Sequence, residues 1–189
     1  MTFLANQTFP NYIIDFMSSE WILNNIIVVA VVVLFLIIGR KLSTQNNTRV
    51  TYLMGVILFF SSVITPLRTA LNGDWNMATD LPFHLCGISG LICSFLPFIK
   101  RKQFLFDFVF YSGIIGGIMS VLTPQMNGYD GSHFAYLEYY VRHVLILLLP
   151  LYMFKYLNIQ PSRYSSLKSF LILNILMIII MPLNFYLGS

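Results

Sequence analysis

Two histidines, His84 and His143, and two arginines, Arg68 and Arg142, stand inside stretches otherwise built of leucine, isoleucine, valine and phenylalanine. An imidazole titrates near neutral pH and can take and return a proton. A guanidinium grips phosphate or carboxylate through two parallel N–H donors. His84 and His143 are therefore the catalytic candidates. Arg68, Asp80, Tyr140 and Arg142 are the candidate substrate-binding residues. Asp80 precedes His84 by four residues, Glu138 precedes Arg142 by four, and Tyr139 and Tyr140 precede His143 by four and three. On helices these spacings put each pair on one face.

Plainer readings stand beside these. Charges near the ends of membrane helices snorkel to the headgroups, and a Glu138–Arg142 pair is self-neutralising. A membrane histidine can serve simply as an interhelical hydrogen bond. Cys86 is a tempting nucleophile beside His84. Residues two apart on a helix face different ways, though, and a free cysteine is usually a small hydrophobe.

The elements that must position these groups are legible in the composition. Of 189 residues, 57% are hydrophobic and 10% charged, against about 25% charged in an ordinary soluble domain. The apolar residues fall in long blocks near the ~20 residues needed to cross a hydrocarbon core. They predict a single all-α domain, a polytopic transmembrane bundle of six spans at about 21–38, 50–71, 82–98, 104–122, 136–156 and 167–187. Residues 1–20 read as a short amphipathic lead at the interface. Span one is too long, and lacks preceding Lys and Arg, to be a cleaved signal peptide.

Nine of the eleven basic residues fall between spans one and two (Arg40, Lys41, Arg49), three and four (Lys100, Arg101, Lys102) or five and six (Lys155, Arg163, Lys168). Asp15, Glu20, Asp74, Asp80, Asp130 and Glu138 fall at the opposite end. The positive-inside rule then puts both termini outside a cell membrane, and the candidate site toward the outer leaflet. Asp107 is the exception, near the inner end of span four.

Cys86 and Cys93 are seven residues apart on one predicted helix, roughly 10 Å of rise, too far for a disulfide. No Cys/His zinc spacing occurs, and neither a metal nor a cofactor is expected. No basic stripe is interleaved with solvent-facing aromatics, which excludes nucleic-acid binding. The expected partners are membrane lipids; a homo-oligomer or a further membrane partner stays open. Gly113 and Gly117 form a GxxxG step, with Ser112, Gly116 and Ser120 beside it and Gly87, Gly90 and Ser94 on span three. Such faces predict close packing of spans three and four. Phe104, Phe106, Phe108 and Phe110 read as lipid-facing.

The string Leu81-Pro82-Phe83-His84-Leu85-Cys86 resembles the signature of the YwaF-like integral membrane proteins. Leu122-Thr123-Pro124, Ser132-His133-Phe134, Tyr139-Tyr140-Val141-Arg142-His143 and Leu149-Pro150-Leu151-Tyr152 agree with it in order and spacing, over roughly residues 50–155. The resemblance extends to the transmembrane protein 164 group, which look like phospholipid acyltransferases. It implies that His84 and His143 share an intramembrane site. The group's cysteine directly before the first histidine is Phe83 here. Members usually continue past the last helix with an Asn-Tyr segment, so the resemblance implies a longer chain than one ending at Ser189.

Two functions follow as expectations. One is a lipid acyl-transfer or lipid-hydrolysing enzyme with an outer-leaflet histidine site. The other is a non-catalytic substrate-binding membrane subunit of a transporter. Such a subunit would need an energising partner, because the loops carry no nucleotide-binding motif, and span one lacks a small-residue docking face. A structural membrane protein without a site is the bland third.

Overall fold

The computed structural model describes residues 11–73, 85–126 and 129–187. Among them are six α-helices: α1 (Ser19–Lys41), α2 (Thr44–Asn72), α3 (Leu85–Phe95), α4 (Gln103–Leu122), α5 (His133–Tyr156) and α6 (Ser165–Leu187). A single 3₁₀ turn, Leu96–Phe98, closes α3. Five helices are long and apolar enough to cross a membrane; the segment Leu85–Phe98 is a shorter apolar helix. The expected spans lie within these helices, apart from 82–84, which lie outside the described residues.

Local chemistry sets the helix starts. Ser18 caps α1 by accepting the Trp21 N–H at 3.1 Å, and Ser132 caps α5 by accepting the Ala135 N–H at 3.1 Å. Each satisfies a first-turn amide that the helix itself cannot. Pro97 falls in the 3₁₀ turn, where a missing N–H does little harm.

The contacts fix the helix directions. The α2 residue Gly55 packs against Ser94 and Pro97, and Arg68 pairs with Asp130 just beyond α4. So α2 runs opposite to α3 and parallel to α4. Gly113 and Gly117 of α4 face Ile146 and His143 of α5 in reverse order, so those two are antiparallel. Asn24 meets Tyr136 and Tyr140, and Gly39 meets Tyr152 and Tyr156, so α1 is parallel to α5. Ser169 and Ser165 meet Asp107 and Tyr111, which puts the start of α6 beside the start of α4. From α1 to α5, consecutive helices thus alternate in direction, and α6 starts at the end of the bundle where α4 starts.

At the centre of the bundle α5 buries Ile146, Leu148, Leu149, Tyr152 and Met153 against Leu58, Cys93, Leu96, Phe106 and Val109. The Gly113/Gly117 face of α4 meets α5, and the neighbouring Ser112/Gly116/Ser120 stripe faces α3 as expected. A Cβ on Gly117 would sit 2.8 Å from the Leu147 Cβ, and one on Gly113 would sit 3.0 Å from the Ile146 carbonyl oxygen. The α3–α4 contact uses serines instead, with Ser89 Oγ 3.2 Å from Ser112 Oγ. Phe106 and Phe108 are buried, against expectation, while Phe104 is exposed. Alternate residues of a helix point to different sides, so a run of every-second phenylalanines cannot all face lipid.

Helices α1 and α6 are apolar and largely uncovered, with Ile22, Ile26, Val33, Leu171, Ile175 and Ile178 among their exposed residues. Water would not tolerate such faces on a monomer; a bilayer covers them, and away from the helix ends and the internal prolines the backbone groups are paired within their own helix. The described part of the lead before α1 is tied to the turn after α4. Tyr12–Ile13 pairs antiparallel with Gln125–Met126, and Ile14 is buried with its N–H on the Pro124 carbonyl at 3.2 Å.

Candidate functional site

The polar residues of α5 separate onto two faces. Tyr136, Tyr139, Tyr140 and His143, which recur three and four residues apart, turn toward α1 and α4. Glu138 and Arg142, one helical turn apart, turn toward α2.

On the α2 side, Arg142 Nη2 lies 2.8 Å from Glu138 Oε1. The same guanidinium donates to the Ser61 carbonyl at 2.5 Å, and the Ser61 hydroxyl donates to Glu138 Oε1 at 2.7 Å. Serine, glutamate and arginine thus close a ring between α2 and α5. The half-buried charges satisfy each other, which keeps their desolvation tolerable. Nearer the helix ends, Arg68 is ion-paired with Asp130 and lies over the Phe134 ring, 5.8 Å from its centroid. Asp130 also accepts from the Ser132 N–H at 3.0 Å and hydroxyl at 2.6 Å.

On the other face, Tyr136 donates to Glu20 Oε1 at 2.8 Å and Tyr12 donates to Oε2 at 2.9 Å. The Asn24 amide donates to the hydroxyls of Tyr136, at 2.5 Å, and Tyr140, at 3.0 Å. Trp21 Nε1 donates to the Leu122 carbonyl at 2.7 Å. These bonds fasten α1 and the lead strand across the end of the bundle. Burial and the acceptor Glu20 together favour the protonated phenol at Tyr12, whose pKa is raised, the hydrogen bond being the larger cause.

His143 lies below this layer and is buried. Its Nδ1 is 2.7 Å from the Tyr139 carbonyl oxygen, and its ring packs on the Tyr139 ring at 4.3 Å between centroids. A carbonyl can only accept, so Nδ1 carries the proton. In the neutral ring Nε2 then holds the lone pair. Tyr139 in turn donates to the Ser120 carbonyl at 2.9 Å. Ser120 Oγ sits 3.3 Å from Cys86 Sγ. A half-buried thiol, a serine, a tyrosine and a histidine therefore follow one another across α3, α4 and α5. Cys93 is buried deeper, against the Ile146 carbonyl.

The expected residues are thus only partly brought together. Tyr140 and His143 share the α1-facing side of α5. Arg142 turns to α2, and Arg68 belongs to a separate pair with Asp130. His84 and Asp80 lie outside the described residues. Sequence reasoning missed Ser61, Ser120, Glu20 and Asn24 as partners. Ser61 and Ser120 gave no signal, because serine is common in membrane helices for packing alone. The polar pair Asn24-Asn25 inside an otherwise aliphatic span was a signal that could have been used.

No curated protein and no solved structure matches the chain. A family model does, over residues 16–189, far beyond the 50–155 region on which the resemblance was read, and the chain is a membrane protein that belongs to the TMEM164 family.

Proposed function

We propose that this protein is a multi-pass enzyme of the cell membrane that transfers or hydrolyses lipid acyl chains, with His143 as its proton-transfer base toward the outer leaflet. The observation that carries this reading is the Nδ1 contact of His143 with the Tyr139 carbonyl at 2.7 Å. It fixes the ring orientation and leaves Nε2 as a base inside an apolar bundle. There, Nε2 would take the proton of an alcohol or water as its oxygen attacks the acyl carbonyl carbon. The tetrahedral adduct would then expel the original alkoxide, which recovers the proton from Nε2. His84 is the second proposed catalytic residue. Tyr140, Asp80, Arg68 and Arg142 are proposed on the substrate side, with the two arginines now better read as anchors of the site walls.

Six crossings with both termini outside fit the same picture. The helices alternate in direction, and the nine basic residues of the loops collect at one end. Counting the short Leu85–Phe98 helix as the core of a third span keeps that alternation.

The test uses purified protein in vesicles holding a phospholipid acyl donor and a lysophospholipid acceptor, followed by lipid mass spectrometry. Acyl transfer or release in the wild type, lost in His143→Ala, supports the enzyme. Saturable lipid binding without any turnover would replace it with the substrate-binding subunit of a transporter.

A further inference from the structure

At the end of the bundle opposite His143, a cleft of about 400 Å³ lies between the close of α3 and the start of α4, lined by Lys100, Arg101, Lys102, Gln103, Phe104 and Ile159. Three successive cations line it, and none forms an ion pair among the described residues. Lys102 Nζ reaches only the Pro97 carbonyl, at 3.4 Å. The nearest carboxylate in sequence, Asp107, is turned inward. It accepts the Ser162 N–H at 3.0 Å, the Ser162 hydroxyl at 2.5 Å and Gln103 Nε2 at 2.8 Å. Asp15, Glu20, Asp130 and Glu138 all lie at the other end.

Among the described residues the cleft is therefore a cationic site whose lysines and arginine have no carboxylate partner. We propose that it binds the phosphate headgroup of an anionic phospholipid. The start of α4 contributes as well. Its N-cap, Lys102, makes no side-chain capping bond, so the first-turn amides of α4 have no side-chain acceptor there, and the positive end of the helix dipole lies at the same end of the helix. Lys102 is half-buried, and burial lowers its pKa below the usual lysine range; a bound anion would offset that loss.

The surroundings favour a lipid over a soluble anion. Phe104, two residues after Lys102, is 61% exposed, and Ile159 also lines the cleft. The cleft thus sets three cations beside the apolar side chains of Phe104 and Ile159, next to the start of the apolar helix α4. A headgroup phosphate would pair with the cations while its acyl chains run along Phe104. Basic pockets between membrane helices bind lipid headgroups in this manner.

The full chain in detergent is titrated with phosphatidylglycerol, phosphatidylcholine or inorganic phosphate, and bound species are counted by native mass spectrometry. Phosphatidylglycerol is expected to bind at least tenfold more tightly than phosphatidylcholine. Each cation removed should weaken it roughly fivefold, the equivalent of about 1 kcal/mol per basic residue near an anionic surface. Lys100→Gln/Arg101→Gln/Lys102→Gln should abolish the preference, and Arg40→Gln/Lys41→Gln, outside the cleft, should keep it. If the triple variant loses its helical circular dichroism, Arg101→Gln alone carries the comparison, since that side chain is exposed. Equal binding of the two lipids overturns the proposal, as do equal losses in cleft and control variants. Displacement of phosphatidylglycerol by equimolar inorganic phosphate would overturn the lipid assignment in favour of a soluble anion.

Discussion

The imidazole of His143 is tied to the main-chain oxygen of Tyr139, one turn earlier on the same helix, at 2.7 Å. The bond decides which nitrogen can act. Asparagine at 143 would preserve a donor near the Nδ1 position but offers no base at Nε2. His143→Asn should therefore keep the thermal midpoint within a few degrees while cutting lipid turnover by roughly 10²–10⁴-fold, the usual share of a general base. Turnover near the wild-type rate in this variant would remove His143 from the chemistry.

Cys86 gives a second discrimination. Its Sγ is 3.3 Å from Ser120 Oγ and joined through that residue to Tyr139. If the attacking group is water or a lipid hydroxyl, Cys86→Ala keeps most of the turnover, and no thioester mass adduct forms on the wild-type chain. An acyl adduct on Cys86, trapped at short times and absent in the variant, would show that the thiol and not the alcohol makes the first bond.

The Ser61–Glu138–Arg142 ring should behave as one unit. Removing one partner of a buried pair costs about 3–5 kcal/mol, and less here because 23% of the Arg142 side chain remains exposed. Glu138→Gln and Arg142→Met should each destabilise the protein by a few kcal/mol, while the double variant should cost clearly less than their sum. A double-mutant cycle in detergent unfolding measures this coupling. Simple additivity would mean that the two charges stand independently.

Much of the helix layout was legible because apolar blocks and loop charges are both one-dimensional signals. The six predicted segments fall on α1 to α6 within a few residues, and the Glu138–Arg142 pair followed from its spacing. Neighbours across helices were not legible. Nothing in the sequence says that Arg142 reaches Ser61, 81 positions away, or that Arg68 reaches Asp130 instead of His143. Likewise the GxxxG step announced a close contact but not its partner. Gly117 touches α5 at Leu147, while spans three and four meet through Ser112 and Ser120 of the neighbouring stripe. Helix rotation, which decides such partners, depends on packing from all sides at once.

The glycines of α4 supply a graded test of that packing. A Cβ on Gly117 would lie 2.8 Å from Leu147 Cβ and 3.0 Å from the His143 carbonyl, whereas one on Gly116 meets nothing nearer than Cys86 Sγ at 4.0 Å. Gly117→Ala should destabilise by about 1–3 kcal/mol, the usual range for overpacking, and should also lower turnover by pushing on the His143 backbone. Gly116→Ala should be tolerated, with a helix-propensity gain of about 0.5–1 kcal/mol working in its favour. Equal effects at the two positions would contradict the orientation of α4.

The direction of the bundle in the membrane can be read with single cysteines in a background where Cys86 and Cys93 are replaced by alanine. Arg101 lies in the basic turn between α3 and α4. His133 opens α5 next to Asp130. Both side chains are exposed, so a failure to label reflects the side of the membrane and not burial. The helix contacts put these positions at opposite ends, because α4 leads from one to the other. By the positive-inside rule, the excess of Lys and Arg around Arg101 predicts that this end faces the cytoplasm. Arg101→Cys in intact cells should therefore resist a membrane-impermeant maleimide and react only after permeabilisation, while His133→Cys reacts at once. The reverse pattern would turn the protein over and move His143 to the inner leaflet. Labelling of both from outside would break the alternation of crossings, and with it the short helix Leu85–Phe98 as a third span.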